Sequence, residues 1–511
     1  MKRLTALLLV ATAAPAAAQT AAPARPSEAV TRAAATITEA DVRHGIGVIA
    51  HDSMEGRDTP SRGLDLTAQY VADQFRKFGL KPGGNGGTYF QRYPITRKQM
   101  LPERSSVTLS NTAGNVVRAS LADAALLVRG GVPGAPITGP VMLISGPVTA
   151  EAAETLPIEG KIAMVVVDFS PAGARQATQA VRAMLARQPT ALLLVSNRDT
   201  SLWRGALANQ RRERVSMEAS ATPAVPALEI QQHAFAAMPG LNFDSLRADT
   251  VMIVRDSTGF TARIDLQERV LDRALAPNVI GIIEGSDSKL KNEYIIYSAH
   301  MDHVGFGPAV NGDSLYNGAD DDASGTIGLV ELAEAFSQKG VRPKRSIMLV
   351  GVSGEEKGLW GSRYFSENPT VDLKNAVANI NMDMIGRNWT DTIVAIGKEH
   401  SDLGATLNRV NAAHPELNMV AIDDRWPEER FYFRSDHYNF ARKGVPVLFF
   451  FNGVHEDYHQ PSDHVEKIGA EKEARILQLL FYVGLDIANA AERPKWNPDS
   501  YAEIVEGPGG R

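Results

Sequence analysis

The chain has 511 residues and no cysteine. No disulfide can staple the fold, and no lipid can be attached to an N-terminal cysteine; a disulfide-free chain is compatible with export but does not require it. A strong imbalance between acidic and basic residues is also missing. The net charge of −6 is mild for this length, and no basic run marks a nucleic-acid or membrane surface. Past the first residues, no apolar stretch approaches the roughly 20 residues that a membrane-spanning helix needs. What remains is ordinary soluble composition, 44% hydrophobic and 22% charged. The length points to two to four domains on a prior of about 150 residues each.

The first residues have their own pattern. Lys2 and Arg3 precede the apolar run Leu4 to Ala13, and Ala16-Ala17-Ala18 lies before Gln19. This is the layout of a secretory signal peptide, so residues 1–18 are expected to be removed and the protein to be secreted or periplasmic. Residues 19–38 read as a disordered leader, and residues 494–511 as a C-terminal tail. Between them, helical periodicity runs over Glu39 to Ala50 and Leu64 to Phe78, closed by Gly79 and the turn-rich Lys81-Pro82-Gly83-Gly84. From 106 to 264 the texture becomes short β-like runs (Val141 to Ile144, Ile162 to Val167, Ala191 to Val195), with one helical stretch from Gln176 to Ala186. Nothing there looks like a metal site. It reads as a β-rich accessory domain inserted into a catalytic domain made of residues 39–105 and 265–493.

The C-terminal half alternates strands and helices. Val279 to Ile283, Tyr294 to Ser298, Ser346 to Val352, Val377 to Met382 and Val447 to Phe451 are apolar runs of strand length, and Gly325 to Gln338 and Ile468 to Ala490 read as helices. Near-continuous apolar strands imply burial on both faces. The expected fold is therefore α/β, a mostly parallel mixed sheet covered by helices on both faces.

In such sheets ligands gather beyond the carboxyl ends of the strands. Here those ends read Ala299-His300-Met301-Asp302-His303, Ser353-Gly354-Glu355-Glu356 and Asp383, with a loop holding His455 and His459, while Asp320-Asp321-Asp322 opens a helix. A lone aspartate is usually a turn former or a cap, and a lone histidine is usually structural. Five segments converging on one rim are different, because packed carboxylates repel unless cations neutralise them. A mixed imidazole and carboxylate donor set suits zinc. His455-Glu456-Asp457-Tyr458-His459 also fits H-E-x-x-H, the zinc-protease helix motif. Asn452-Gly453 before it and Pro461 after it are turn formers, so a loop that projects His459 is the expectation.

The blocks SAHMDHVG, NGADDDASGT, VSGEEKGLWGS, NINMDMIGR and DYHQPSDH resemble, in order, those of the co-catalytic two-zinc peptidase family, which includes secreted bacterial leucyl aminopeptidases, glutamate carboxypeptidase and the transferrin receptor. The resemblance covers roughly residues 39–101 and 277–490. The inserted region, with EGKIAMVVV, looks like a protease-associated domain. The resemblance implies two zinc ions: His300 and Asp383 on one, Glu356 and His459 on the other, and Asp321 bridging. It implies Glu355 as general base, Asp302 behind His300 to orient its ring, and Tyr432 to polarise the substrate carbonyl. The implied activity is release of N-terminal residues from peptide substrates by a metal-activated water, with no nucleic-acid partner. A carboxypeptidase or dipeptidase on the same site is the alternative, for which Arg387 and Arg434 are candidate carboxylate binders. Glutaminyl cyclase chemistry and an inactive binding protein are further rivals; the full set of ligands and the base stands against both. Asp320 and Asp322 read as helix caps, and His303, His437, His455 and His464 have no assigned role.

Overall fold

Three neighbouring strands of the central sheet are buried along almost their whole length, which is how the apolar runs of the sequence read. They are found in a computed structural model that describes residues 26–169, 173–217 and 225–507. The expected signal peptide and the start of the leader lie outside the described residues. The chain divides into two compact units, residues 1–92 with 277–511, and residues 93–276.

In the first unit the strands that position the site are β1 (Glu268–Ile283, entering from the other unit), β2 (Tyr294–His300), β3 (Ser346–Val352), β4 (Ala376–Met382), β5 (Thr392–Ile396), β6 (Val420–Ile422) and β7 (Val447–Phe450). Their order is β6-β5-β7-β4-β2-β3-β1. β3, β2, β4 and β7 run parallel to their neighbours, whereas β1 and β5 join antiparallel. Side chains alternate between two cores, as the strand period of two requires. Ile295, Tyr297 and Ala299 of β2, with Ile347 and Leu349 of β3, face one core. Ile296 of β2, with Met348, Val350 and Val352 of β3, faces the other.

The helices α1 (Glu39–Ile49), α2 (Arg62–Lys77), α3 (Gly325–Ser337) and α4 (Ala470–Asn489) cover the first of these faces. Thr38 and Ser61 cap α1 and α2 by accepting backbone N–H groups. α3 is buried almost all round, and Gly328 lets it approach α4, since a Cβ there would stand 2.8 Å from Leu477.

Part of the expected disordered leader is folded, and so is part of the expected C-terminal tail. A short helix spans Glu28–Ala34, capped by Ser27, and its Ala33 and Ala34 are buried with Ile37. The alanine-rich composition that suggests a leader here supplies the small side chains that pack against the domain. In the expected C-terminal tail, Pro498–Tyr501 and Ala502–Glu506 are helical, Ile504 is buried, and the Trp496 indole N–H donates to the Gly444 carbonyl at 2.9 Å.

The second unit has its own core, which includes Leu109, Val141, Met164, Leu193, Leu228 and Phe235. Its sheet joins antiparallel strands Ser106–Asn111 and Phe260–Asp265 to a parallel run of Ile137–Ser145, Ile162–Val166, Ala191–Ser196 and Ala227–Gln231. Helices Ala174–Ala186 and Thr200–Gln210 accompany the parallel run, so the unit is more α/β than its strand-rich texture suggests.

Candidate metal centre

The carboxyl ends of β2, β3 and β4 deliver the charged residues to one place. β2 ends on His300, the turn after β3 carries Glu355 and Glu356, and Asp383 follows β4 directly. The fourth contribution is the loop from 318 to 324. Gly318 enters it at φ +60, and a Cβ there would stand 2.2 Å from the Asp321 carbonyl. The fifth is the segment after β7, which forms turns and not a helix, with Gly453 at φ +83 and His459 at φ +54. His459 is presented from a loop, and the H-E-x-x-H helix does not form.

Asp321 stands at the centre. Its Oδ1 lies 3.3 Å from His300 Nε2, and its Oδ2 lies 3.1 Å from His459 Nε2. One carboxylate thus faces two groups of donors. His300, Asp321 and Asp383 form the first, with His300 Nε2 3.6 Å from Asp383 Oδ1. His303, Asp321, Glu356 and His459 form the second, with His459 Nε2 3.1 Å from Glu356 Oε1. His303, given no role in the sequence reading, is fully buried with Nδ1 2.9 Å from Glu356 Oε1. The sequence signal that could have found it is its place three residues after His300 at the same strand end.

The electrostatics show what the pocket lacks. Burial, with the Asp383, Asp436 and Glu356 charges adding, holds the Glu355 carboxyl well above its usual range against the pull of His300. Burial would depress the His300 imidazole, but Asp322, Asp383 and Asp321 outweigh it and hold the ring well above its usual pKa. Acidic groups crowd here without enough positive charge. His303 Nδ1 and Nε2 and Glu356 Oε1 are buried without a hydrogen-bond partner among the described residues. Oxygen and imidazole donors, crowded and unsatisfied, fit divalent cation binding of the zinc type.

Supporting contacts fix the first group. His300 Nδ1 lies 3.1 Å from the Asp302 carbonyl, which leaves Nε2 free to face Asp321 and Asp383. The Asp302 carboxylate stands 3.8 Å from that ring and instead accepts the Glu355 backbone N–H at 3.2 Å. The expected role of Asp302 thus passes to its carbonyl, because the turn after β2 points the side chain towards β3. Asp322 Oδ1 accepts the N–H of Gly325 at 2.9 Å, as a cap of α3 would, and that of Met384 at 3.2 Å. Asp320 caps nothing. It accepts the Gly386 N–H at 2.7 Å and faces His455 Nε2 at 3.1 Å. Beneath the loop, the buried guanidinium of Arg57 donates to the carbonyls of Met301, Ile49, Asn317 and Gly318 at 2.6 to 2.9 Å.

The cleft over these groups is lined by His300, Asp321, Glu355, Asp383 and His459, with an apolar wall of Met384, Phe431, Phe449, Phe451 and Val454. Tyr432 is not in that lining. Its ring sits edge-on to His400 at 4.4 Å and its hydroxyl is buried elsewhere, because the short turn Phe431–Phe433 directs Phe431 to the cleft and Tyr432 behind it. Tyr458 does line the cleft, stacked 4.0 Å from His459. Of the two candidate carboxylate binders, Arg434 reaches the cleft, with its guanidinium 4.6 Å from the Phe431 ring centre. Arg387 is held by Asp457 at 3.0 Å and does not line the cleft.

Residues 278–484 match the family model described as Peptidase family M28. A probable zinc metalloprotease of Pyrenophora teres f. teres is 27% identical over 216 residues, 36% of this chain and 44% of the relative. A probable leucine aminopeptidase of Arthroderma benhamiae is 26% identical over 227 residues, 42% of this chain and 59% of the relative. The chain thus spans about half the length of these curated relatives. Its fold is similar to that of an aminopeptidase from Aneurinibacillus sp. strain AM-1, with a TM-score of 0.50 and 20% identity over 94% of this chain and 98% of that one.

Proposed function

We propose that the protein is a zinc metallopeptidase, most simply an aminopeptidase, that holds two zinc ions. The observation that carries this reading is Asp321, whose two oxygens face two separate groups of donors. His300 and Asp383 would hold one ion, Glu356 and His459 the other, and Asp321 both. Bound there, zinc supplies Lewis acidity for the scissile carbonyl and makes water a competent nucleophile at neutral pH.

The chain's own residues do the rest. Glu355 lines the cleft and its backbone N–H is tied to Asp302. Its carboxylate takes the proton of the attacking water and returns it to the leaving nitrogen. Tyr458, at the edge of the same cleft, supplies a hydroxyl near the reacting carbonyl, the role that the sequence reading gave to Tyr432. The wall of Met384, Phe431, Phe449 and Phe451 excludes water and suits an apolar substrate side chain. Excess carboxylate around the donors suits a free N-terminal ammonium, and the aminopeptidase names of relatives and structural neighbour point the same way.

A carboxypeptidase or dipeptidase is the second reading, and Arg434 at the cleft favours it, since a guanidinium there could hold a free carboxylate. A panel of aminoacyl and C-terminally free peptide substrates, assayed with and without a chelator, separates the two. Cleavage only of blocked-amine substrates removes the aminopeptidase reading, and chelator-resistant cleavage removes the metallopeptidase.

Among the described residues no helix is long and apolar enough to cross a membrane. Export by the pattern of residues 1–18 is part of this proposal. So is the assignment of the inserted region 106–264, contained in the 93–276 unit, as a protease-associated domain.

A further inference from the structure

We propose that His303 is a direct ligand of the ion held by Glu356 and His459, so that the two metal positions are unequal. The proposal rests on the metallopeptidase reading and adds to it a residue that the family resemblance did not assign.

His303 has no exposed surface. A buried imidazole normally donates one N–H and accepts at the other nitrogen, because an unmet polar atom in the interior is costly. Neither ring nitrogen of His303 has a hydrogen-bond partner among the described residues. Yet Nδ1 lies only 2.9 Å from Glu356 Oε1 and 3.6 Å from Asp321 Oδ2. Atoms that close, without the alignment of a hydrogen bond, are aimed at a point between them. His459 Nε2 completes the set, at 3.1 Å from each of the same two oxygens. Donors bound to one zinc ion at about 2.0–2.2 Å stand roughly 3–3.5 Å apart, which is the spacing found. The ring is also held in place. The His303 backbone N–H donates to the Arg57 carbonyl at 3.3 Å, and a Cβ on Gly318 would stand 2.5 Å from the imidazole, so glycine there is what admits the ring.

The consequence is asymmetry. The second position gathers two imidazoles and two carboxylates, whereas the first has one imidazole and two carboxylates. The richer position binds first and more tightly, and the poorer one keeps more room for water and substrate.

The test is a zinc titration of the metal-stripped full-length protein against a competing chelator. Wild type is expected to bind two ions in two resolved classes. H303A is expected to lose more than about 100-fold in affinity at the tighter class, beyond the roughly 10–100-fold that follows loss of a partner behind a ligand. H303Q keeps a side-chain N–H for Glu356 but should not restore the affinity. Unchanged binding in H303A, or recovery to within tenfold in H303Q, overturns the proposal and leaves the metallopeptidase reading standing. A wild type that binds no zinc overturns the metallopeptidase reading itself. If the variants do not fold, the cobalt-loaded wild type labelled with 15N-histidine decides. Three imidazoles with contact-shifted resonances support the proposal, and two overturn it.

Discussion

The carboxylate of Asp302 holds the backbone N–H of Glu355 at 3.2 Å, joining the turn after β2 to the turn after β3. The Thr59 hydroxyl accepts the neighbouring Gly354 N–H at 3.1 Å, so two consecutive amides of the β3 turn are pinned. Burial raises the Asp302 carboxyl to about 6, with Glu356 adding and His300 opposing. Glu355 is therefore carried on a fixed backbone, which is what a proton-transferring group needs.

Glu355→Gln keeps the size and the backbone tether while removing the proton acceptor. The variant should retain the wild-type zinc content by elemental analysis and lose about 10²–10⁴-fold in kcat. Asp302→Asn, which weakens the tether but leaves the acceptor, should lose roughly 10–100-fold. A fully active Glu355→Gln enzyme would take the base role from this residue.

Asp383 is the end of a relay that begins inside the sheet. Asn379 donates to Ser298 at 2.9 Å, Ser298 to Asn381 at 2.6 Å, Asn381 to Ser435 at 3.2 Å, and Ser435 to Asp383 Oδ2 at 2.8 Å. The last hydroxyl fixes which oxygen of Asp383 faces His300. Ser435→Ala should weaken zinc at the His300–Asp383 position by about 10–100-fold and leave the other position within about twofold. Chelator competition reads both. Equal weakening at both positions would show that Ser435 acts on the fold and not on Asp383.

These relationships explain what the sequence made legible. The buried strands carry their signal locally, as apolar runs, and the residues just past their ends follow from that placement. His300, Asp321, Glu356, Asp383 and His459 meet because four strand ends and a loop share one rim. Loop direction carries no such signal. In Phe431-Tyr432-Phe433 three aromatics follow one another, and only the turn decides that Phe431 and not Tyr432 reaches the cleft. His303 reads as a spare histidine because the atoms it faces belong to Asp321 and Glu356, more than a dozen positions away. Arg57 was invisible for the same reason, since two of its carbonyl partners, Asn317 and Gly318, lie 260 and 261 residues along the chain.

Arg57 is fully buried, and its donors satisfy carbonyls of the loops that carry Asp321 and Asp302. Removing it leaves several acceptors unmet and takes a positive charge from beside Asp321, Asp322 and Asp302. An unmet buried group costs about 1–3 kcal/mol. Arg57→Met should destabilise the protein by about 3–5 kcal/mol and weaken both zinc positions together, seen as a lower unfolding midpoint in denaturant with and without added zinc. A stable variant with wild-type zinc binding would show that the loop holds its shape unaided.

Glu331 lies on the buried side of α3, far from the donors in its chemistry but exposed to the same cost of burial. Its Oε2 meets no hydrogen-bond partner among the described residues. Burial, with the charges of Asp41 and Glu334 adding and Lys77 opposing, pushes the carboxyl up from 4.5 to about 8. The folded state keeps a proton that the unfolded chain releases above about 4.5, so unfolding sheds a proton and stability falls as pH rises through this window. Below about pH 4.5 both states are protonated and Glu331 contributes nothing; above about pH 8 both are ionised and the full penalty is present. At about 1.4 kcal/mol for each pH unit of the window, the penalty is of the order of a few kcal/mol. Glu331→Gln should therefore raise the unfolding temperature at pH 8.5 and change it little at pH 4.5. Thermal unfolding of both proteins across that range checks the sign: a gain that is larger at pH 4.5 than at pH 8.5 would mean that Glu331 is charged and partnered in the folded protein.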